Sequence, residues 1–342
     1  MSTTFPLQDK TILVTGGTGS FGKAFIKKAL TSHNPRKVIV FSRDELKQWE
    51  MRQSDPVFDH DKIRYFLGDV RDKDRLMRAF RDVDMVVHAA ALKQVPAAEY
   101  NPTEFIKTNI HGAMNIVDAA IERGIEKIIA LSTDKAANPI NLYGATKLVS
   151  DKLFVAGNAY VGAKGMPKFS VVRYGNVLGS RGSIVPKWKR MVLEGATELG
   201  VTDENMTRFW ITLDHATQFV IDNFARMLGG EIFVPKIPSM KVIDLVQAIA
   251  PGVKAKIIGI RPGEKMHELM IGEDDSRHTI EFDDCYAIAP EAVMSSSMAS
   301  VERLLGLGGK RCKPGFEYSS DANDRWLDAT QLRQLTSDIA PA

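Results

Sequence analysis

Cysteine is nearly absent from this chain, with Cys285 and Cys312 the only two. Two thiols cannot build a disulfide scaffold or a multi-thiolate metal site, and the scarcity fits a reducing compartment. Long apolar runs are missing too. No run of roughly 18 apolar residues occurs, so no segment has the make-up of a membrane-spanning helix. The opening residues, MSTTFPLQDK, lack the basic start and apolar centre of a secretory leader, and a cytoplasmic protein with no membrane partner is expected. Charge of one sign is also lacking. The 45 Lys+Arg face 42 Asp+Glu, a net of +3, which is too balanced for a general nucleic-acid binder. The 7 histidines show no metal-ligand spacing, so no metal site is expected.

What is present is the make-up of a globular α/β protein. At 342 residues, 44% hydrophobic and 25% charged, the chain can bury a core without staples, as one large domain or two modest ones. From residue 11 onward, short β-branched runs alternate with helical patterns. Strands are predicted at 11–15, 37–41, 63–67, 85–89, 127–131 and 169–174. Helices are predicted at 21–30, 44–53, 103–123 and 143–158, the third bounded by Pro102 and Gly124. Strands apolar on both faces and separated by helices imply a doubly wound parallel sheet, a Rossmann domain. Beyond residue 180 the alternation degrades and proline and glycine become frequent. A smaller, partly interleaved C-terminal substrate domain is therefore expected. This division gives 1–180 and a returning segment of about 209–235 to the Rossmann domain, with 181–208 and 236–342 in the substrate domain. The Ser/Met-rich stretch 294–300 reads as a loop, and no internal repeat is present.

Directly after the first predicted strand stands Gly16-Gly17-Thr18-Gly19-Ser20-Phe21-Gly22, which satisfies both Gly17-x-Gly19-x-x-Gly22 and Gly16-x-x-Gly19-x-x-Gly22. A pyrophosphate needs a tight turn, close backbone approach and helix N-terminal amides, and side chains would block all three. Glycines alone also suit a plain turn; between a strand and a helix they point to a dinucleotide. After the second strand come Ser42, Arg43 and Asp44. Ser42 and Arg43, with Lys47 one helical turn on, suit the 2′-phosphate of NADP, although Arg43 also reads as a solvated charge. Asp44 either serves the ribose of NAD or caps the following helix. Asp69 and Val70 follow the third strand, placed to meet adenine, and Asp69 equally suits a turn. Ala89, beside Ala90 and Ala91, lets backbone pack against the cofactor, while His88 reads as a packed core histidine. Lys93 reaches ribose, phosphate or sugar, or simply sits on the surface.

The fifth strand runs into Ser132-Thr133-Asp134-Lys135, and Tyr143-Gly144-Ala145-Thr146-Lys147 follows. Tyr143 and Lys147, four apart, share one helix face. A tyrosine near its ordinary pKa of ~10 is a poor base, but a neighbouring ammonium and an oxidised nicotinamide both favour the phenolate. Thr133 adds a hydroxyl to the same substrate oxygen. Tyr-x-x-x-Lys arises by chance in many helices; behind a dinucleotide loop it points to catalysis. Arg181, Arg208 and Arg261 are candidates for a substrate diphosphate, because guanidinium forks suit phosphate oxygens. Each also reads as an exposed or ion-paired arginine. Trp188, Phe209 and Trp210 read as core or interface residues.

From Lys10 to about Asp324 the sequence resembles the extended short-chain dehydrogenase/reductase family. Within it the likeness narrows to nucleotide-sugar 4,6-dehydratases, and to the inverting UDP-N-acetylglucosamine 4,6-dehydratases of bacterial pseudaminic acid synthesis. The stretches that carry it are TGGTGSFGK (15–23), FSRDELKQ (41–48), STDKAANPINLYGATK (132–147), RYGNVLGSRGS (173–183), MTRFWITL (206–213) and RPGEKMHE (261–268). The resemblance implies a resident NADP that is regenerated in each cycle, a UDP-N-acetylglucosamine substrate and a homo-oligomer, with helices 103–123 and 143–158 available for a dimer face. It makes Tyr143 the base at the sugar C4 hydroxyl and Asp134 and Lys135 the acid–base pair that removes water across C5 and C6. Retaining dehydratases typically carry Asp-Glu at these two positions, so Lys135 implies inversion at C5. It also implies that Tyr174 lies near the nicotinamide, Asn176 near the diphosphate, and Arg261 to Glu264 at the nucleotide ribose. A nucleotide-sugar 4-epimerase would use the same Tyr143 and Lys147 without the pair at 134 and 135. A non-catalytic NADP-sensing protein would be expected to have lost Tyr143 and Lys147, and both are present.

Overall fold

The structure is a computed structural model that describes residues 6–162, 165–291 and 300–341. The first half of the chain builds β1 (Thr11–Thr15), α1 (Ser20–Ser32), β2 (Lys37–Ser42), α2 (Glu45–Ser54), β3 (Ile63–Leu67), α3 (Lys73–Ala79) and β4 (Met85–His88). It continues with α4 (Val95–Tyr100), α5 (Pro102–Phe105), α6 (Gly112–Arg123), β5 (Lys127–Thr133), α7 (Leu142–Gly157) and β6 (Lys168–Tyr174). After it come β7 (Asn176–Val177), α8 (Ile184–Leu193), β8 (Glu198–Val201), β9 (Thr207–Ile211), α9 (Leu213–Arg226), β10 (Ile232–Pro235), β11 (Ser239–Lys241) and α10 (Val242–Ile249). The remainder is β12 (Lys254–Ile257), β13 (Leu269–Ile271), β14 (Thr279–Glu281), β15 (Cys285–Ile288), α11 (Val301–Gly306), β16 (Lys310–Arg311), β17 (Tyr318–Ser319) and α12 (Ala329–Thr336).

Ten strands form one sheet in the order β16-β14-β15-β10-β6-β5-β4-β1-β2-β3. From β3 to β10 every neighbouring pair is parallel. The reason is legible in the residues. All five positions of β1 are buried, as a strand covered by helices on both faces requires. The strand order reverses at β1, between β2 and β4, and the crevice at that reversal is where such sheets bind ligands. Helix starts are fixed by short polar side chains. Asp44 caps α2 by accepting from the Lys47 amide at 3.0 Å, and Asn141 caps α7 by accepting from the Gly144 amide at 2.8 Å.

A second, smaller core gathers Leu178, Trp188, Leu199, Met206, Trp210, Met240, Leu245 and Leu332. The expected assignment of all of 236–342 to this smaller unit needs correction. β14, β15 and β16 extend the main sheet antiparallel to their neighbours, and Ile280, Cys285 and Tyr318 belong to the main core. Strands of two to four residues carry too little periodicity to announce that pairing. The helix expected over 103–123 is also interrupted: α5 passes through a π-helical turn, Ile106–His111, before α6. That turn aims Asn109 sideways, where its amide group bridges both the N–H and the C=O of Leu92 at 2.9 Å. Of the loop expected at 294–300, only Ser300 lies among the described residues, and it caps α11.

Candidate active site

A cavity of about 740 Å³ opens over the C-terminal ends of β1, β2, β4, β5 and β6. Gly16, Thr18, Gly19, Ser20, Phe21 and Gly22 line it, with Ser42, Arg43, Lys47, Asp69, Val70, Ala89, Lys93 and Tyr174. Thr133, Asp134, Lys135, Tyr143 and Lys147 line it as well. A dinucleotide fits the residues present. α1 begins at Gly19 with no side-chain cap, so its first amides stay available to an anion. A Cβ on Gly22 would stand 2.6 Å from the Gly17 Cα, so only glycine lets the helix start pack onto the loop. Thr108 Oγ1, on the π turn, is buried without a hydrogen-bond partner among the described residues, and its residue lines the same cavity.

Around the second strand the local contacts sort the candidates. Asp44 spends its carboxylate on the α2 cap and on Lys47 Nζ at 2.7 Å, which is the capping role. Ser42 Oγ accepts from Gln48 Nε2 at 3.0 Å, and Arg43 stays exposed, 3.9 Å from Asp69. Asp69 is held chiefly by Arg71, whose amide it accepts at 3.0 Å in a turn. His88 is a core residue: Thr15 Oγ1 accepts from the Ala89 and Ala90 amides and donates to His88 Nδ1 at 2.8 Å. Burial, with Lys147 second, pushes that imidazole down to about 3, so it stays neutral.

A second cavity of about 550 Å³ adjoins the first and shares Lys93, Gln94, Lys135, Asn176 and Ser183 with it. Arg208, Arg261, Glu264 and Glu268 also line it. Several polar atoms here have no hydrogen-bond partner among the described residues, including Asn176 Oδ1, Ser183 Oγ, Trp210 Nε1 and Glu268 Oε2. Arg261 and Glu264 form a two-pronged ion pair, and Glu264 also accepts from Thr202 at 3.1 Å. The other two candidate arginines have different surroundings. Arg181 lines the first cavity only, where its backbone N–H donates to Ser20 Oγ of the phosphate loop at 2.9 Å. Arg208 is buried, and its terminal nitrogens donate to the Thr207, Lys265 and Met266 carbonyls. Its fork is spent on backbone because β9 lies beneath the segment 264–268.

At the junction of the cavities, a 3-10 turn over Asp134–Ala136 follows β5 and packs on α7. Gly144 permits that contact, since a Cβ there would run into the Lys135 carbonyl oxygen. Asp134 is 1% exposed, and its Oδ1 accepts from Thr133 Oγ1 at 2.9 Å and from Lys135 Nζ at 3.1 Å. Lys135 Nζ also lies 2.9 Å from Glu268 Oε1, a partner the sequence did not announce. Burial works against the Lys135 charge, but Asp134 and Glu268 outweigh it and hold the ammonium well above its ordinary range. For Asp134 burial wins and raises the carboxyl.

Burial likewise pushes the Tyr143 phenol up to about 12, opposed by Lys135 and the Thr133 hydroxyl. The protein cation that most favours the phenolate is thus Lys135, across the site, rather than Lys147 on the same helix. Lys147 is itself lowered by burial and supported by Asp151, one more turn along the same face. Asp151 is buried, accepting from Ser132 Oγ at 2.6 Å and from Arg173 at 3.3 Å. Tyr143, Lys147 and Asp151 stand four residues apart in turn, so that third member was open to a spacing argument. Among the described residues no group of three or more His, Cys, Asp or Glu gathers as a metal site, and no helix is long and apolar enough to cross a membrane.

Fold and site together are those of an extended short-chain dehydrogenase/reductase. A model of the polysaccharide biosynthesis protein family matches residues 12–290, and the chain belongs to that family. It is 57% identical over 327 residues to a UDP-N-acetylglucosamine 4,6-dehydratase (inverting) of Campylobacter jejuni subsp. jejuni (serotype O:23/36, strain 81-176), covering 95% of this chain and 97% of that protein. It is 40% identical over 334 residues to a UDP-glucose 4-epimerase of Rickettsia akari (strain Hartford), covering 96% and 95%. Among solved structures, that of Pen from Bacillus thuringiensis matches with a TM-score of 0.86 at 34% identity, covering 98% of this chain and 99% of that one.

Proposed function

We propose that the protein is an inverting UDP-N-acetylglucosamine 4,6-dehydratase that yields UDP-2-acetamido-2,6-dideoxy-L-arabino-hex-4-ulose. The observation that carries this reading is the Asp134–Lys135 contact, 3.1 Å long, beside Tyr143 where the two cavities meet. Support comes from the 57% identical dehydratase, which matches over nearly the whole of both chains. In this reading the first cavity takes a nicotinamide dinucleotide and the second takes the nucleotide sugar, over the smaller core and residues 181–208.

A bound nicotinamide supplies a hydride acceptor for sugar C4, a hydride donor for C6 and a positive charge near the phenol. The chain supplies the proton chemistry. Tyr143 takes the C4 hydroxyl proton, helped by Lys135 and Thr133, whose fields favour the phenolate. Once C4 is a ketone, the C5 proton is acidic, and Lys135 and Asp134 serve as the base at C5 and the acid at the C6 hydroxyl. Lys147 and Asn176 hold ligand hydroxyls or phosphate oxygens from the cavity wall. Arg261, now paired with Glu264, turns to the nucleotide when one arrives.

The resident dinucleotide in this reading is NADP, with Arg43 and Lys47 at the 2′-phosphate, since Asp44 is already spent as a cap. The same reading makes the protein a cytoplasmic homo-oligomer, associated through α6 and α7, that begins pseudaminic acid synthesis for flagellin glycans. The 40% identical epimerase favours a second reading, nucleotide-sugar 4-epimerisation. Incubation with UDP-N-acetylglucosamine in deuterated water, followed by NMR, separates the two. Dehydration gives a 6-deoxy-4-keto sugar with deuterium and inverted configuration at C5. A C4 epimer with no deuterium at C5 would overturn the proposal.

A further inference from the structure

Lys135 sits between two carboxylates, and only Asp134 adjoins it in sequence. Glu268 arrives from the segment just before β13, is 1% exposed, and places Oε1 2.9 Å from Lys135 Nζ. It is a fixed group. Its backbone N–H donates to Ser320 Oγ at 2.9 Å, and its Oε1 lies 3.6 Å from Arg208 Nε. Arg208 is pinned in turn by three backbone carbonyls. Glu268 Oε2, by contrast, has no hydrogen-bond partner among the described residues, although its residue lines the second cavity. Burying a rigid carboxylate with one oxygen unpaired is costly, and such an arrangement calls for a use.

An ammonium is no base. Lys135 must be a neutral amine at the moment it takes a proton from carbon, and among the described residues the acceptors that touch its Nζ are Asp134 Oδ1 and Glu268 Oε1. We propose that Glu268 is a positioning residue of the dehydration: it stays a carboxylate, fixes Lys135 Nζ, and so directs the lysine proton to Asp134. The inference rests on the dehydratase reading above. Burial raises the Asp134 carboxyl, whereas Lys135 and Arg208 overcome burial at Glu268 and hold it low, so Asp134 is the better proton acceptor.

The step balances. Lys135 passes one proton to Asp134 and becomes an amine. The C5–H bond breaks, its proton goes to Lys135, and its electron pair enters the C4–C5 enolate. Asp134 returns its proton to the C6 oxygen, the C6–O bond breaks, and the enolate electrons form the C5–C6 double bond. Water leaves, Lys135 is again an ammonium and Asp134 again a carboxylate. The charged and titratable groups facing Lys135 are Asp134 on its own turn, Tyr143 from α7, Arg208 from β9, and Lys265 and Glu268 from the segment before β13.

The test compares Glu268→Gln and Glu268→Asp with wild type, as full chains carrying their dinucleotide. Three readouts are taken: reduced-nicotinamide absorbance for C4 oxidation, deuterium entry at C5, and NMR titration of the Lys135 ammonium, assigned with Lys135→Arg. For Glu268→Gln we expect C4 oxidation within about 2-fold of wild type and C5 exchange down about 10- to 100-fold, the range for a misplaced acid–base group. The Lys135 titration should move to lower pH, because the anion that favoured the ammonium is gone. Glu268→Asp should restore part of that shift. Wild-type exchange in Glu268→Gln, or equal loss of oxidation and exchange together with a lowered melting temperature, would overturn the proposal. A wild type that oxidises no sugar at C4 would sink the dehydratase reading instead, and the Lys135 titration would still test Glu268.

Discussion

Replacing Lys135 with methionine should cost stability in a way that depends on pH. The side chain stays unbranched, one atom shorter, and loses its charge, which leaves Asp134 and Glu268 buried without their shared cation. Breaking a buried ion pair by removing one partner costs about 3–5 kcal/mol. Lys135 is 24% exposed toward the cavity, so the lower end, about 3 kcal/mol, is the expected loss near neutral pH. Asp134, left without a cation, and Glu268, left with Arg208 alone, answer by holding protons more readily, which raises the folded-state pKa of Asp134 further above the unfolded value of about 4 and weakens the depression at Glu268. A group with a raised folded pKa stabilises most below its unfolded pKa, and that contribution is lost as pH rises through the folded value. The deficit of Lys135→Met should therefore be largest at about pH 8 and shrink toward about pH 5. Urea unfolding midpoints at several pH values measure it, with an unchanged slope showing that the native state is intact. Equal midpoints for variant and wild type at every pH would refute the reasoning.

Tyr143→Phe should lower turnover by about 10²- to 10⁴-fold while the dinucleotide stays bound, measured by product NMR and absorbance; wild-type turnover would remove Tyr143 from its role. Arg43→Ala should weaken NADP binding about 10- to 100-fold, the worth of one charge-assisted contact, and leave NAD binding unchanged by calorimetry. Equal weakening of both would move the 2′-phosphate site elsewhere. Gly144→Ala forces a methyl against the Lys135 carbonyl, so a loss of about 1–3 kcal/mol in stability and a larger fall in C5 exchange than in dinucleotide affinity are expected. Unchanged exchange would show that the turn carrying Lys135 tolerates displacement.

The half of the fold that sequence periodicity describes well is the half built from buried parallel strands. β1 to β6 announce themselves because each is a short run rich in β-branched, aliphatic and aromatic residues between helices, and the phosphate loop because its glycines meet backbone. The π turn over Ile106–His111 was illegible, since one extra residue in a turn shifts an amphipathic pattern too little to be seen. β14 and β16 were illegible for another reason: they are stabilised by neighbours far off in the chain rather than by a pattern of their own. The same distinction runs through the site. Tyr143 and Lys147 are linked by helix geometry, which spacing reveals. Lys135 and Glu268 are linked only by folding, although Glu268 closes the stretch RPGEKMHE and so was in plain view.

That long-range pair bears on the choice between dehydratase and epimerase. Both readings need a dinucleotide loop, a tyrosine and a lysine on α7, and a cavity for a nucleotide sugar, so none of these discriminates. Oxidising C4 and returning hydride to C4 moves one proton, at the hydroxyl beside Tyr143. Asp134, Glu268 and Arg208 would then be buried around a half-buried Lys135 with nothing to do. Desolvating each ion costs several kcal/mol, and mutual attraction repays this only with near-complete hydrogen bonding. Here Asp134 Oδ2 and Glu268 Oε2 both lack hydrogen-bond partners among the described residues, so the cluster is a poor device for stability. Apolar residues of similar size would hold this junction at least as well. Four charges kept at the meeting point of two cavities, with Asp134 and Glu268 pulled to opposite sides of their ordinary pKa values, are what a reaction needs when it must take a proton from carbon and give one to a leaving oxygen.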